Sequence, residues 1–316
     1  MKLLKKFLMA SLCSIILLNT GITAFAGVVG KSSSKYPKTV QETDNSYLHG
    51  AEIHMLNSAT NSQMMSFVIK SKNGKLIVVD GGLPADAPHL VDTITQYGGE
   101  VSAWILSHPH SDHVGAFTKI VEDGYDGIKI DAVYYNIREQ AWYDTFEKYR
   151  AKTVEEFRNA IGKLPDGVSH ITNKGEVYWV DGISINILNN PYWIESNSIN
   201  NSSIAFRMDF DGTRVLFLGD MGYEAGDALK AEVPASELKS DIVQMAHHGQ
   251  YGVSKEVYQI IAPKVAMWNT PQWLWDNDGG SGYNTGSYKT LEVRSWMEEL
   301  GVTANYAIKD GDQTIK

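Results

Sequence analysis

Three histidines and one aspartate lie within six consecutive residues of this chain, in the segment His108-Pro-His110-Ser-Asp112-His113. The segment follows an apolar run ending at Leu106, so a tight turn after a buried strand would hold these short side chains rigidly. Because alternate residues of extended chain share a face, His108 and His110 can bind one cation while Asp112 and His113 reach a second. Imidazole together with carboxylate suits Zn²⁺, with Mn²⁺ or iron as alternatives.

Other polar groups at the ends of predicted strands extend this pattern. Asp80 begins Asp-Gly-Gly after one apolar run, and Asp220 ends Leu-Phe-Leu-Gly-Asp after another. His247 and His248, followed by glycine, come directly after a third run. Cysteine cannot contribute to the mature site, because Cys13, in a segment that we expect to be removed, is the single cysteine. His, Asp, Glu, Asn or water must therefore supply every ligand.

In this order the motifs resemble those of the metallo-β-lactamase superfamily, whose HxHxDH signature is highly specific. The resemblance covers about residues 51–316 and implies an αββα sandwich, with the site along the edge where the two sheets meet. It implies that Asp80 supports the ligands from behind, that Asp220 bridges two cations, and that one of His247 and His248 is a ligand while the other faces the substrate. We favour His248 as the ligand. The implied metal ligands are His108, His110, Asp112, His113, Asp220 and His248, and the candidate catalytic residues are Asp112, His247 and Asp80.

One departure from the family pattern makes the chain resemble a particular branch of the superfamily. Most members place a third histidine for the first cation between the signature and the bridging aspartate, whereas this chain has Asn200 and Asn201 there. His170, the single histidine of that stretch, comes too early to match. The Asn-Asn-x-Ser-Ile segment resembles a branch that includes the hydrolase domain of ComEC-type DNA-uptake proteins and secreted phosphorylcholine esterases of Gram-positive bacteria. Water or Asn200 would then complete the first cation's shell, although both asparagines also fit an interpretation as loop or helix caps.

The order of apolar runs and turn signals predicts a layered α/β fold. Hairpins are indicated by Asn73-Gly74, Asp181-Gly182 and Asp211-Gly212 between apolar runs. Helices are predicted at 116–122 and 138–150, among others, and strands at 304–308 and 313–316 are expected to close the sheet together. Strand pairs mixed with strand–helix units predict two mixed β-sheets flanked by helices, and residues 47–316 are expected to form a single domain.

Aromatic residues flank the motifs and are candidates for binding substrate. Tyr135 follows the signature region, while Trp273 and Trp275 follow the last histidine motif in a loop-like stretch. In the family that the chain resembles, both regions rim the active-site cleft. Aromatic faces there can hold a quaternary ammonium group or stack on bases and sugars. The alternative is ordinary packing of these side chains onto the core. Asn200 and Asn201 complete the set of candidate substrate-binding residues.

The first residues predict export. A basic start is followed by an apolar run at 7–18 and by Ala24-Phe25-Ala26, which is typical of a signal peptide cut after Ala26. Residues 27–46 are polar and predict a flexible leader. The run is too short for an ordinary membrane span, so no stable span is expected after cleavage, and the product is expected outside the cell.

Charge and motifs together predict the reaction. The formal net charge of −9 disfavours, without excluding, a nucleic-acid substrate, and no protein partner is predicted. We expect a secreted hydrolase with two divalent cations, Zn²⁺ with Mn²⁺ as the alternative, that uses a bridging hydroxide. The expected substrate is a small or cell-wall-linked phosphoester, with phosphorylcholine as one candidate. A secreted nuclease is the second hypothesis, and a β-lactamase or lactonase is third because the third histidine is absent.

Overall fold

Two mixed β-sheets packed face to face form the centre of the structure, which is a computed structural model describing residues 47–316. The predicted signal peptide, residues 1–26, and leader, residues 27–46, lie outside the described residues. Residues 47–316 fall in one compact unit. No helix in this described part has the length and apolar character that a membrane crossing requires.

The first sheet has its strands in the order β15-β1-β2-β3-β4-β6-β7, with β5 paired to β4. Pairs from β15 to β3 are antiparallel, whereas β3, β4, β6 and β7 run parallel. The predicted turn at Asn73-Gly74 does join two antiparallel strands, and Gly74 adopts the left-handed backbone that favours glycine. The strands are β1 (Glu52–Met55), β2 (Ser66–Lys70), β3 (Leu76–Asp80), β4 (Glu100–Leu106), β5 (Lys129–Ile130), β6 (Val133–Tyr135), β7 (Ser169–Ile171) and β15 (Gln313–Ile315).

The second sheet has the order β14-β13-β12-β11-β10-β9-β8. Its strands β8 to β11 pair antiparallel, and the two predicted Asp-Gly hairpins join β8 to β9 and β10 to β11. Strands β11 to β14 pair in parallel. The strands are β8 (Val177–Val180), β9 (Ile183–Ile187), β10 (Phe206–Phe210), β11 (Thr213–Phe217), β12 (Ile242–Gln244), β13 (Val265–Trp268) and β14 (Ala304–Ala307).

Helices cover the outer face of each sheet. Side chains of α1, α2 and α4 pack on the first sheet, and those of α5, α7 and α9 pack on the second. Strands β3 and β13, which are buried on both faces, accordingly consist of nearly continuous apolar residues. The helices are α1 (Ala87–Gln96), α2 (Ser111–Glu122), α3 (Gln140–Phe146), α4 (Ala151–Ile161), α5 (Tyr223–Glu232), α6 (Ala235–Leu238), α7 (Lys255–Ile261), α8 (Gln272–Trp275) and α9 (Thr290–Glu299).

The core between the sheets is closed by aromatic contacts. Phe67 of the first sheet meets Phe217 of the second edge to face, with 5.2 Å between ring centroids. Phe206 stacks on Phe217 at 4.9 Å. All three rings are fully buried, and such pairs add about 0.5–1.5 kcal/mol each beyond the area that they bury. The predicted αββα sandwich is therefore confirmed.

Several boundaries differ from the prediction. The strands predicted to close one sheet together belong to different sheets, because β14 pairs with β13 while β15 pairs with β1. The helix predicted from Ala116 begins at Ser111, inside the histidine signature. The helix predicted at 138–150 is shorter, since α3 ends at Phe146 and α4 begins at Ala151. The loop-like Trp273 and Trp275 lie in α8.

Candidate metal centre

The histidine signature occupies the turn from β4 into α2. Pro109 disfavours helical backbone at His108, and His110 at the helix start is extended with φ −76° and ψ 150°. The carbonyl of His110 accepts the amide of His113 at 3.0 Å, as an N-cap residue does. Asp112 and His113 therefore belong to the first helical turn, where a carboxylate is favoured by the helix dipole.

The two later motifs lie at the carboxyl ends of neighbouring parallel strands. Asp220 follows β11 through Gly219, which has φ +56° and leaves no room for a side chain beside Ser203 and Ser107. His247 and His248 follow β12, and both adopt left-handed backbone, at φ +50° and +53°. Such backbone is rare in residues with a Cβ and is frequent at ligand-binding positions.

One group of four side chains converges where the sequence predicts the second cation. Ligand atoms of Asp112, His113, Asp220 and His248 all lie within 4.8 Å of one another. His248 Nε2 lies 3.3 Å from Asp112 Oδ2 and 3.2 Å from Asp220 Oδ2, while His113 Nε2 lies 3.2 Å from Asp220 Oδ1. Ligands of a tetrahedral Zn²⁺, each about 2.0–2.1 Å from the ion, are separated by about 3.3 Å, so these spacings fit the ion.

The buried polar atoms of this group also need a partner. Among the described residues, His113 Nε2, His248 Nε2 and Asp220 Oδ1 are buried and make no hydrogen bond. His113 and His248 lie near Asp220 at the distances given above, but these contacts do not have hydrogen-bonding geometry. Buried polar atoms without a partner are rare and costly, and a cation between them would satisfy all three. The residues present therefore fit a bound divalent cation.

A second convergence involves the first two histidines. His108 Nε2 lies 3.3 Å from His110 Nδ1 and 4.0 Å from Asp220 Oδ2. Asp220 thus lies near both His108 and the pair His113 and His248, and its role as a bridging carboxylate stays a prediction. Asn200 stands beside this position and donates from Nδ2 to His247 Nε2 at 3.2 Å, leaving its own Oδ1 buried and unpaired.

Most of these histidines have their second ring nitrogen held by an acceptor. His113 Nδ1 donates to Asp80 Oδ2 at 2.7 Å, and His248 Nδ1 donates to the carbonyl of Asn269 at 3.0 Å. Asp80 is fully buried and also accepts the amide and hydroxyl of Ser107, each at 2.7 Å. These bonds fix which nitrogen is free for a metal. Asp80 therefore lies directly behind the ring of His113, and its supporting role stays a prediction.

The carboxylates raise the proton affinity of two histidines. Burial lowers the pKa of His248, but the negative charges of Asp220 and Asp112, 3.2 and 3.3 Å away, outweigh burial and raise that pKa to about 9. Burial likewise opposes charge on His113, yet Asp220 and Asp80 hold its pKa well above the usual value. Burial, with the neighbouring His113, lowers the pKa of His108. A cation that binds His113 and His248 must therefore displace protons.

An open cavity of about 210 Å³ lies over the cluster. Its lining contains five predicted site residues, which are His110, Asp112, Asn200, Asp220 and His247. The other lining residues were not predicted, because none of them belongs to a recognised motif. These are Gln63, Glu147, Tyr149, Arg150 and Asn197. Gln63 donates to Asp112 Oδ2 at 3.2 Å and so contacts a candidate ligand directly.

The structure places four other candidate substrate-binding residues away from this cavity lining. Asn201 is buried and accepts the Gly222 amide at 3.1 Å. Tyr135 packs edge to face on Phe157. Trp273 donates to the carbonyl of Asn61, and Trp275 packs on Trp268. Their role in substrate binding stays a prediction.

Comparison with known proteins identifies the family to which this chain belongs. A family model described as "Metallo-beta-lactamase superfamily" matches residues 60–266, which include every candidate metal ligand. The chain belongs to the metallo-β-lactamase superfamily, a superfamily of metal-dependent hydrolases. A search of proteins with curated functions finds no match.

Solved structures share the fold at low sequence identity. The metallo-β-lactamase fold protein YhfI from Bacillus subtilis is 11% identical with a TM-score of 0.52, covering 84% of this chain and 99% of its own. A mutant of the β-hydroxylase CmlA from Streptomyces venezuelae is 13% identical with a TM-score of 0.51, covering 84% of this chain and 54% of its own. These likenesses show the fold and leave the reaction open.

Proposed function

We propose that this protein is a secreted phosphodiesterase that uses two divalent cations, Zn²⁺ with Mn²⁺ as the alternative. The observation that supports this proposal most directly is the cavity over the cluster, whose lining contains Arg150 together with candidate metal ligands. Arg150 is the single Lys or Arg in that lining and forms no ion pair of 4.0 Å or less among the described residues. A guanidinium in this place suits the anionic oxygens of a phosphoester, because its fork of donors matches phosphate geometry.

Each group in this cavity has a separate role in the proposed reaction. Cations bound by the cluster would supply Lewis-acid polarisation of the ester and activation of a water molecule. Arg150 binds a phosphoryl oxygen and orients the ester. Asn200 and His247 are held together by a hydrogen bond and can direct their unpaired atoms, Oδ1 and Nδ1, to substrate.

His247 acts in this proposal as a neutral hydrogen-bond partner. Burial lowers its pKa, and the nearby His248 and His110 oppose its protonation further, although Asp220 favours it. A neutral imidazole at pH 7 is a poor acid for the leaving group. We therefore assign His247 to orienting the substrate, and His248, which lies 3.2 Å from Asp220 and 3.3 Å from Asp112, to metal binding.

The substrate class follows from charge and from the branch resemblance. Asn200 and Asn201 occupy the place of the third histidine, as in the phosphorylcholine esterase and ComEC-type branch. Tyr149 brings an aromatic face to the cavity and is 79% exposed, so it can contact a quaternary ammonium group. We propose a small or cell-wall-linked phosphoester, with phosphorylcholine esters as one candidate.

A secreted nuclease is the second candidate. It is supported by the resemblance to DNA-uptake domains, and it is disfavoured by the net charge of −9. A long polyanion requires several phosphate contacts from Lys and Arg, whereas this cavity lining offers Arg150 alone.

A substrate panel tests the proposal. Purified protein with Zn²⁺ or Mn²⁺ would be assayed on bis-p-nitrophenyl phosphate, p-nitrophenyl phosphorylcholine, single-stranded DNA and nitrocefin. We expect phosphodiester turnover that is lost in Asp112→Ala. Cleavage of DNA without turnover of small esters would favour the nuclease, and turnover of nitrocefin alone would favour a lactamase. A preparation that binds no metal under any of these conditions would contradict the enzyme proposal.

Export is proposed from the amino-terminal pattern and is tested separately. The full chain expressed in a Gram-positive host is expected to reach the medium and to begin at Gly27. Amino-terminal sequencing of the secreted protein would check the cleavage after Ala26, and protein retained in the cell with an intact start would contradict it.

Replacing Arg150 tests how the cavity selects its substrate. Arg150→Gln is expected to lower kcat/KM for the phosphodiester about 10- to 100-fold, mainly through KM, because charge-assisted hydrogen bonds contribute about 1.5–3 kcal/mol. Steady-state kinetics would measure it. Lys148→Gln is the matched control, since Lys148 is an exposed cation on the same segment outside the cavity lining. Equal effects of the two variants would contradict a specific role for Arg150.

A further inference from the structure

Glu147 is a buried carboxylate beside the metal centre that no motif contains. It follows α3 directly, is 4% exposed and lines the cavity. A charged group so deeply buried is rare unless its oxygens are fully bonded. Both oxygens of Glu147 are bonded, and they face in different directions.

One oxygen of Glu147 holds a candidate metal ligand. Oε1 lies 3.2 Å from His110 Nε2, and the hydroxyl of Tyr149 donates to the same oxygen at 3.3 Å. An ionised carboxylate only accepts hydrogen bonds, so His110 must carry its proton on Nε2. This leaves Nδ1 of His110 with a free lone pair, and that atom lies 3.3 Å from His108 Nε2, at the first cation position.

The other oxygen holds the segment that leads to Asn200. Oε2 accepts the amide of Ile199 at 2.8 Å and the hydroxyl of Ser198 at 3.2 Å. Tyr149, Ser198 and Ile199 all donate to the two oxygens, so Glu147 acts as an acceptor and joins the histidine signature to the place where a third histidine was expected.

The same arrangement occurs on the other side of the centre. Asp80 accepts from His113 Nδ1 and leaves Nε2 towards the second cation position. Asp80 belongs to the family's pattern, whereas Glu147 comes from the region between the signature and the bridging aspartate. A carboxylate that fixes the ring of a metal-binding histidine typically changes metal affinity by 10- to 100-fold.

We propose that Glu147 is a positioning residue that fixes His110 as an Nδ1 ligand of the first cation. It compensates in part for the missing third histidine, because a position with fewer protein ligands depends more on the orientation of those that remain. The inference rests on metal binding in this centre and does not depend on which ester is cleaved. The tests measure the tautomer of His110 and the affinity for Zn²⁺, so they remain informative if the proposed substrate is wrong.

The first test is the tautomer of His110 in protein treated with chelator. Long-range ¹H–¹⁵N spectra of the imidazole rings, assigned by comparison with His110→Gln, are expected to show the proton on Nε2. In Glu147→Gln the amide can donate to Nε2, so a shift towards the Nδ1–H form is expected. A wild-type His110 that carries its proton on Nδ1 would overturn the proposal, and this result does not require any variant to fold.

The second test is metal affinity at the two positions. Competition with a fluorescent chelator is expected to show two Zn²⁺ per wild-type chain, and in Glu147→Gln one of them should bind about 10- to 100-fold more weakly. The other Zn²⁺ should keep its affinity, which also reports that the variant is folded. Unchanged affinity at both positions would overturn the proposal.

Two controls separate ligand positioning from anchoring of the loop. Ser198→Ala removes a bond to Oε2 and leaves the bond between Oε1 and His110 in place. Asp144→Asn removes an exposed carboxylate of α3 that contacts Gln140. Both variants are expected to bind two Zn²⁺ as the wild type does. If Ser198→Ala weakened the same position as strongly as Glu147→Gln, loop anchoring would replace our proposal.

Discussion

Asp220→Asn is expected to remove metal binding at both positions and to lower kcat/KM for a phosphodiester by at least about 10³-fold. Metal centres contribute several kcal/mol of charge stabilisation to the transition state, and each 1.36 kcal/mol is a factor of ten in rate. Metal content by elemental analysis and steady-state kinetics would measure the two effects.

The geometry of Asp220 explains why one substitution should affect both positions. Its Oδ1 lies 3.2 Å from His113 Nε2, whereas Oδ2 lies 3.2 Å from His248 Nε2 and 4.0 Å from His108 Nε2. The carboxylate is 1% exposed, so water cannot readily take its place. An asparagine of the same shape retains one acceptor oxygen and loses the negative charge that two cations would share.

The folded chain should survive this substitution. Asp220 favours the protonated forms of His113 and His248, so in Asp220→Asn both rings can lose a proton rather than stay buried and charged. Asp227→Asn, in an exposed ion pair with Lys230, is the matched control and should keep its metals. An Asp220→Asn variant that still binds two Zn²⁺ with wild-type affinity would contradict the bridging role.

The sequence alone predicted the metal centre better than the cavity over it. Asp112, His113, Asp220 and His248 come together because each motif follows a buried strand, and strand ends can be recognised from local apolar runs. Glu147 could not be found in this way. Its partner His110 is 37 residues distant along the chain, and its neighbours at 138–150 predicted a continuous helix. Two helices were predicted in this region, with the break at 151–153, whereas the structure places it at 147–150, so Glu147 lies in the break and not in the predicted helix.

Aromatic residues show a second limit of sequence patterns. Trp275 was a candidate for substrate binding, and that role stays a prediction. Its ring packs on Trp268 outside the cavity lining and lies under the guanidinium of Arg294, 4.1 Å from the ring centroid. Tyr149, which had no motif around it, is the aromatic residue in the cavity lining. Periodicity predicts which face of a helix or strand is buried. The local sequence around a tryptophan does not distinguish a residue in an exposed loop from one that packs at the edge of the core.

The pairing of the last strand shows a third limit. β14 and β15 are separated by a short turn of helix at Ile308–Asp310, so the sequence predicted that they lie in one sheet. The chain instead crosses from the second sheet to the first, where Ile315 pairs with Ile53. β1 was not predicted because its four residues give too few alternations to recognise. Without β1, the partner of β15 could not be deduced.

Gly249→Ala is expected to destabilise the protein by roughly 2–5 kcal/mol and to weaken Zn²⁺ binding through His248. Gly249 has φ +76°, and left-handed backbone costs a residue with a Cβ about 1–2 kcal/mol. A Cβ there would also lie 2.5 Å from two ring carbons of Trp268, and overpacking of a core costs about 1–3 kcal/mol. Urea unfolding with chelator and Zn²⁺ competition would measure the two effects.

Trp268 cannot move away from such a Cβ without a further loss. Its ring is fully buried, packs edge to face on Trp275 and donates from Nε1 to Asn305 at 2.8 Å. The backbone must therefore yield, and with it the neighbouring His248, whose Nδ1 is held by the carbonyl of Asn269 at 3.0 Å.

Gly212→Ala is the matched control for this steric argument. Gly212 has φ +102° in a hairpin turn, and a Cβ built there has no atom within 4 Å. It should cost only the backbone part, about 1–2 kcal/mol, and leave Zn²⁺ affinity unchanged. Equal losses of stability in Gly249→Ala and Gly212→Ala would mean that backbone strain alone acts at Gly249. Retained Zn²⁺ affinity in Gly249→Ala would show that His248 does not depend on close packing of this turn against Trp268.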